Sequence, residues 1–173
     1  MARLTGGAPA WEAEYVEYVT ARQRSFMRAA YAMLGSWPAA EDAVQTTLTE
    51  LYARWPRIRG GHPDAYGRRA LVNTCMGISR KRRREVVTDR VPEGATGDGQ
   101  ESVDLMDALA RLSVRDRAVL ALRYLEDLSV REVAAALDLP EGTVKSQASR
   151  ALVRLEALLS PAQQAAETAG GNP

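Results

Sequence analysis

At 173 residues the chain has room for one domain or two small ones. Hydrophobic residues make up 46%, enough to form packed cores. No segment approaches the length of a membrane span and no charged–apolar–small leader opens the chain, so a cytoplasmic protein without membrane insertion is expected. The single Cys75 excludes an internal disulfide and suits a reducing compartment.

In chain order, residues 1–10 contain Gly and Pro and read as a frayed end. Trp11, Tyr15, Val19, Phe26, Ala30 and Met33 mark one or two helices up to Leu34. The run Gly35-Ser36-Trp37-Pro38 breaks them, since Gly suits a helix C-terminus and Pro the start of the next helix. That next helix is predicted to reach about Arg54, with Val44, Leu48, Leu51, Tyr52 and Trp55 buried. Glu41 and Asp42 are expected in its first turn, where the helix dipole favours acids. Asp42, Gln45 and Thr49 lie on its other face.

Trp55 to Pro63 reads as a loop by its Pro and Gly content. A helix over Asp64 to Arg84 follows, with Leu71, Cys75 and Ile78 on its apolar face. Arg69, Asn73, Met76 and Arg80 share another face, which ends in Arg80-Lys81-Arg82-Arg83-Arg84. Cations suit a helix C-terminus, but five in succession beyond an amide-bearing face exceed what capping requires and point to nucleic acid. From residue 88 to 103 the composition turns to Gly, Pro, Glu, Asp and Ser, the character of a flexible linker. Leu105, Leu109 and Leu112 then open a second helical unit, and Ser113 starts a helix carrying Val119, Leu122 and Leu125.

The most informative stretch is Ser129 to Leu159. Ser129 and Glu132 form a capping box, and the helix they open carries Val133 and Leu137 with small Ala134 to Ala136. Asp138 tolerates the left-handed conformation that a tight turn demands, and Leu139-Pro140 leads into another helix. Val144, Ala148, Leu152, Leu155 and Leu159 recur there at steps of three and four. Thr143, Lys145, Ser146, Gln147, Ser149, Arg150 and Arg154 occupy the opposite face, and Gly142 to Leu155 holds no acid. This is how a helix-turn-helix presents its recognition helix to the DNA major groove. Residues 161–173 have no apolar period and read as a disordered tail.

The net charge of +1 conceals an uneven distribution. Arg59 to Arg90 holds nine Lys or Arg against three acids, whereas Val91 to Pro173 holds eight against thirteen. Local basic patches on a near-neutral chain suggest directed nucleic-acid contact. Catalysis has little support. The segment from Gly142 to Ser146 lacks the upstream glycine and preceding strand of a phosphate loop. His62 is the only histidine and no nucleophile–base pair or metal cluster is visible, so an enzyme, a cofactor and a metal site are not expected. The alternative from another class is a stand-alone helix-turn-helix transcription regulator.

The segments AYAMLGSWPAAEDAVQTTLTELYARW, AYGRRALVNTCMGISRKRRRE and LRYLEDLSVREVAAALDLPEGTVKSQASRALVRL closely resemble the extracytoplasmic-function sigma factors, small bacterial sigma subunits of RNA polymerase. The resemblance runs from about Trp11 to Leu159. It implies an all-α chain with sigma domain 2 over residues 11–87, a flexible linker over 88–103 and sigma domain 4 over 104–160. It further implies core RNA polymerase (the β′ clamp helices and the β subunit) and promoter DNA as partners, with an anti-sigma factor as a further one. Asp42, Gln45 and Thr49 match the polymerase-binding helix. The loop over Arg57 to His62, with Arg59, Arg68, Arg69, Asn73, Arg80 and Arg83, matches the part that melts and reads the −10 element, Asn73 and the loop holding a flipped base. Thr143, Lys145, Ser146, Gln147 and Arg150 match the helix that enters the −35 major groove. Arg115 and Arg117 are secondary candidates for phosphates.

Overall fold

The structure, a computed structural model, describes residues 9–88 and 100–169, and the side-chain surroundings of 9–85 and 105–159. Three helices form the first half: α1 over Glu12–Leu34, α2 over Trp37–Ile58 and α3 over Pro63–Thr88. Four more follow: α4 over Gln100–Ala110, α5 over Val114–Leu120 continuing into a π-helical turn at Ala121–Leu125, α6 over Val130–Leu137 and α7 over Glu141–Ala169. No strand occurs among the described residues, so the all-α expectation holds.

The α1–α2 break is a left-handed Gly35 (φ 66°) whose N–H returns to Tyr31 O. Tyr31 and Trp37 stack across it with centroids 4.0 Å apart. Because α2 starts at Trp37, Pro38 sits in its opening turn and Glu41 and Asp42 fall in the second turn, not the first as expected. The helix also runs through Pro56 to Ile58, which shortens the expected Trp55–Pro63 loop to Arg59–His62. Proline removes one donor and strains an interior turn. Here it falls beside Trp55, which is fully buried and packs against the Tyr15 and Tyr18 rings at 5.1 and 4.9 Å. Burying that large ring outweighs the proline penalty.

Three other expectations need correction. Val119 and Leu122 are buried, but Leu125 is 48% exposed. Glu126 N–H bonds Ala121 O, five residues back, and this wider turn retards the rotation of the side chains that follow. The linker expected to end at residue 103 gives way to α4 from Gln100; its residues 89–99 lie outside the described ones. The tail is helical as far as Ala169, in keeping with its Ala, Gln and Glu, which favour helix without needing an apolar period. Residues 170–173 lie outside the described ones.

The two halves pack on each other. One apolar cluster runs from Phe26, Met33, Leu51, Trp55, Leu71 and Cys75 in the first half to Val119, Leu122, Val133 and Val144 in the second. Polar links cross the same boundary: Ser25 Oγ donates to Glu126 Oε2, and Arg69 reaches Asp138 at 3.7 Å. Arg117, a secondary phosphate candidate, is half-buried at this boundary, its Nη1 close to Gly35 at the end of α1. Burial lowers the pKa of its guanidinium, and the C-terminal end of a helix favours a cation there. It is an interface residue and does not present a free charge to phosphate.

Candidate nucleic-acid and polymerase interface

The turn between α6 and α7 forms as its residues dictate. Ser129 Oγ accepts from Glu132 N–H at 3.2 Å, and Glu132 Oε2 accepts from Ser129 N–H at 2.9 Å. The Ser129 hydroxyl, which donates to Glu132 Oε2 at 2.7 Å, and the Ser129 N–H bond to the same oxygen favour the charged carboxylate and lower the Glu132 pKa. Asp138 takes φ 55°, ψ 51°, and its N–H returns to Ala134 O. Leu139 N–H closes on the same carbonyl at 3.0 Å. Val144, Ala148 and Ala151 face the core, and Leu152, Leu155 and Leu158 pack beside Ala151, which turns the opposite side of α7 outward.

On that outer face Lys145, Ser146 and Arg150 are exposed, while Thr143 and Gln147 are half-buried. The Ser146 hydroxyl donates to Thr143 O at 3.0 Å, and Arg150 Nε donates to Ser146 O at 3.2 Å. Gln147 leans toward α5, where its Nε2 donates to Asp116 Oδ1 at 3.0 Å. Arg115, Asp116, Gln147, Arg150 and Arg154 enclose a shallow pocket of 290 Å³. All five expected recognition-helix residues therefore lie on one stretch of α7, but three of them, Ser146, Gln147 and Arg150, use a side-chain donor within the chain. Asp116 escaped the sequence reading because an acid in a first turn looks like ordinary capping; only the packing of α5 on α7 gives it a second partner.

The −10 candidates are less closely gathered. Arg59 ion-pairs with Glu14 at 3.1 Å and ties the α2–α3 loop to α1. Arg22 and Asp64 form a two-pronged ion pair beneath that loop, with Nε to Oδ1 at 2.8 Å. The cleft there holds Tyr18, Trp55, Gly61, His62, Asp64 and Arg68 from the first half, and Arg131 and Glu132 from α6. Asn73 is exposed and is not among the residues lining this cleft. It lies nine residues beyond Asp64, about 13 Å along the helix. Loop and amide thus do not form one enclosed pocket in this arrangement. Arg69 is exposed and stands 3.7 Å from Asp138 of the second half, and Arg80 and Arg83 are exposed on the last turns of α3.

Asp42, Gln45 and Thr49 do come together. All three are exposed on α2 and line an 840 Å³ groove between α2 and α3, which Lys81, Arg82 and Glu85 complete. Gln45 and Thr49 also border a second groove, of 620 Å³, floored by Tyr15, Met27, Val44, Leu48 and Tyr52. They form a polar ridge between two partly apolar troughs. The Thr49 hydroxyl donates to Gln45 O at 2.8 Å, leaving its oxygen lone pairs and methyl outward.

A basic three-helix unit packed on a helix-turn-helix unit defines a two-module, helical DNA-binding protein. The family model for sigma-70 region 2 matches residues 18–85, and that for sigma-70 region 4 matches residues 102–155. The RNA polymerase sigma-E factor of Streptomyces coelicolor is 40% identical over 148 residues, covering 82% of this chain and 84% of that protein. The ECF RNA polymerase sigma factor SigL of Mycobacterium tuberculosis is 32% identical over 166 residues, covering 85% and 89%. In structure, the chain resembles the sigma factor RpoE of Bartonella quintana, solved with the anti-sigma factor NepR, with TM-score 0.75, 27% identity and coverage of 85% and 97%. The chain belongs to the extracytoplasmic-function group of the sigma-70 family, and it functions as an RNA polymerase sigma factor in transcription initiation. Matches across both halves do not favour a stand-alone regulator. No helix among the described residues is long and apolar enough to cross a membrane.

Proposed function

We propose that this sigma factor uses the α2 ridge of Asp42, Gln45 and Thr49 to dock on the β′ clamp helices of core polymerase, while its second half engages the β subunit. Lys145, Ser146 and Arg150, with Thr143 and Gln147, meet the major groove of the −35 element. Arg59, Arg68, Arg69, Asn73, Arg80 and Arg83 serve the −10 element, where an exposed amide can read the edge of an unstacked base. The observation that carries this reading is the outward face of α7, free of acids from Gly142 to Leu155 and presented by the left-handed Asp138 turn. The chain acts by binding, without catalysis of its own, in the cytoplasm. An anti-sigma protein is a fitting further partner, since the structurally similar RpoE was solved with one.

The packed arrangement of the two halves supports weak promoter binding by the free chain, because Arg68 and Arg69 face α6 and the Asp138 turn. Core polymerase would separate the halves and set their spacing, turning two weak contacts into one bivalent contact. The test is co-elution with core polymerase followed by transcription from a genomic fragment library. Stable binding with new promoter-specific transcripts supports the reading; sequence-specific DNA binding without core association overturns it. Lys145→Ala with Arg150→Ala should lower −35-dependent initiation about tenfold or more with core binding intact. Asn73→Ala should impair open-complex formation, read by permanganate reactivity of the −10 region, again with core binding intact.

A further inference from the structure

Asp116 sits in the first turn of α5, beside the outer face of α7, and is only 8% exposed. Three donors converge on its carboxylate. Ser113 Oγ reaches Oδ2 at 2.8 Å, Gln147 Nε2 reaches Oδ1 at 3.0 Å, and Arg154 Nη1 stands 3.6 Å from Oδ2. Helix capping accounts for the first, since Ser113 Oγ also accepts from Asp116 N–H at 3.1 Å. It does not account for the other two, which come from α7.

An ionised carboxylate accepts hydrogen bonds and cannot donate them. The Gln147 amide therefore has one orientation open to it: its NH₂ group turns toward Asp116 and its carbonyl oxygen away. Among the described residues that oxygen has no donor, and one N–H remains beside it. We propose that Asp116 is a positioning residue for promoter recognition, fixing Gln147 so that it offers an acceptor and a donor side by side and selects adenine in the −35 element. Adenine presents an N6 amino donor next to the N7 acceptor in the major groove, the complement of that pair. Guanine presents two acceptors there and thymine an acceptor and a methyl group. Neither complements a glutamine oxygen that cannot exchange places with its nitrogen. Arg115, Arg150 and Arg154 around the same pocket would hold the flanking phosphates and set the register.

This inference rests on the assignment of α7 to the −35 element. The test presents reconstituted holoenzyme with promoter duplexes randomised across the −35 hexamer and sequences the bound fraction. The wild-type chain should enrich adenine at one position, and Gln147→Ala should remove the preference at that position. Asp116→Asn can still accept from Ser113 and Gln147, but it also tolerates the flipped amide. It should reduce the adenine-over-guanine preference at that position about tenfold and leave the others unchanged, and combining it with Gln147→Ala should add nothing. Arg154→Ala should lower binding of all sequences alike. An Asp116→Asn chain that loses binding evenly across all sequences, or keeps the wild-type profile, overturns the proposal; so does a wild-type profile without adenine at the position Gln147→Ala disturbs. If wild-type holoenzyme enriches no −35 sequence, or Lys145→Ala with Arg150→Ala leaves the profile intact, the assignment of α7 itself fails.

Discussion

Cys75 shows how burial alone sets the chemistry of one group. Its side chain is fully buried on α3, and desolvation of the thiolate pushes the thiol pKa up to about 12. At neutral pH the group is a small hydrophobe and holds no reactive thiolate. A disulfide-exchange reagent at pH 8 should modify the native chain negligibly over hours and react fully in denaturant. Because the pKa is raised in the fold, this stabilisation is complete below the unfolded value of about 8.5. It is lost as pH rises toward 12. Urea melts between pH 8 and 10 should show the decline; a flat profile with rapid native labelling would mean that the α2–α3 packing around Cys75 is open. Gly67 makes the complementary point. A Cβ there would lie 2.5 Å from Tyr18 Oη and 2.9 Å from Phe26 Cζ. Gly67→Ala should therefore lower unfolding stability by about 1–2 kcal/mol, overpacking exceeding the gain in helix propensity.

At the scale of an element, α6 is a short helix whose ends are fixed by side chains. Its start depends on the Ser129–Glu132 capping box, and its end on Asp138 in the left-handed region. Ser129→Ala should cost about 1 kcal/mol, seen as a lower urea midpoint. The bonds from Ser129 lower the Glu132 pKa, so their contribution is present above the usual carboxylate value and fades as pH falls through the depressed one. The Ser129→Ala penalty should accordingly shrink below about pH 4. A penalty independent of pH would assign the effect to the hydroxyl's acceptance from Glu132 N–H and not to its donation to the carboxylate.

For the whole molecule, the decisive feature is the closure of one half on the other. The boundary combines apolar packing with Ser25–Glu126, Arg69–Asp138 and the half-buried Arg117. A shielded Cys75 makes the distance between halves measurable. With Ala13→Cys and Val153→Cys, both exposed positions, dyes attach at the two sites alone. Energy transfer should be high in the free chain and fall when core polymerase is added. Transfer that is low from the start would show the halves already apart in solution, and unchanged transfer on a bound core would remove the opening step.

The sequence alone determined the helical class, the two-unit organisation, the capping box, the Asp138 turn and the outer face of α7. These are local features, set by side-chain period and by the conformations each residue tolerates. Asp42, Gln45 and Thr49 were legible for the same reason, because spacings of three and four fix a shared helix face. Tertiary structure decided what depends on distant partners. Trp55 burial carries α2 through Pro56, and the π-helical turn puts Leu125 in solvent. Arg117 became an interface residue and Asp116 a partner of Gln147 because α5 packs against α1 on one side and α7 on the other. A sequence specifies where a charge lies along its own helix; what it does depends on which neighbour is brought within 3 to 4 Å, and that is a property of the assembled core.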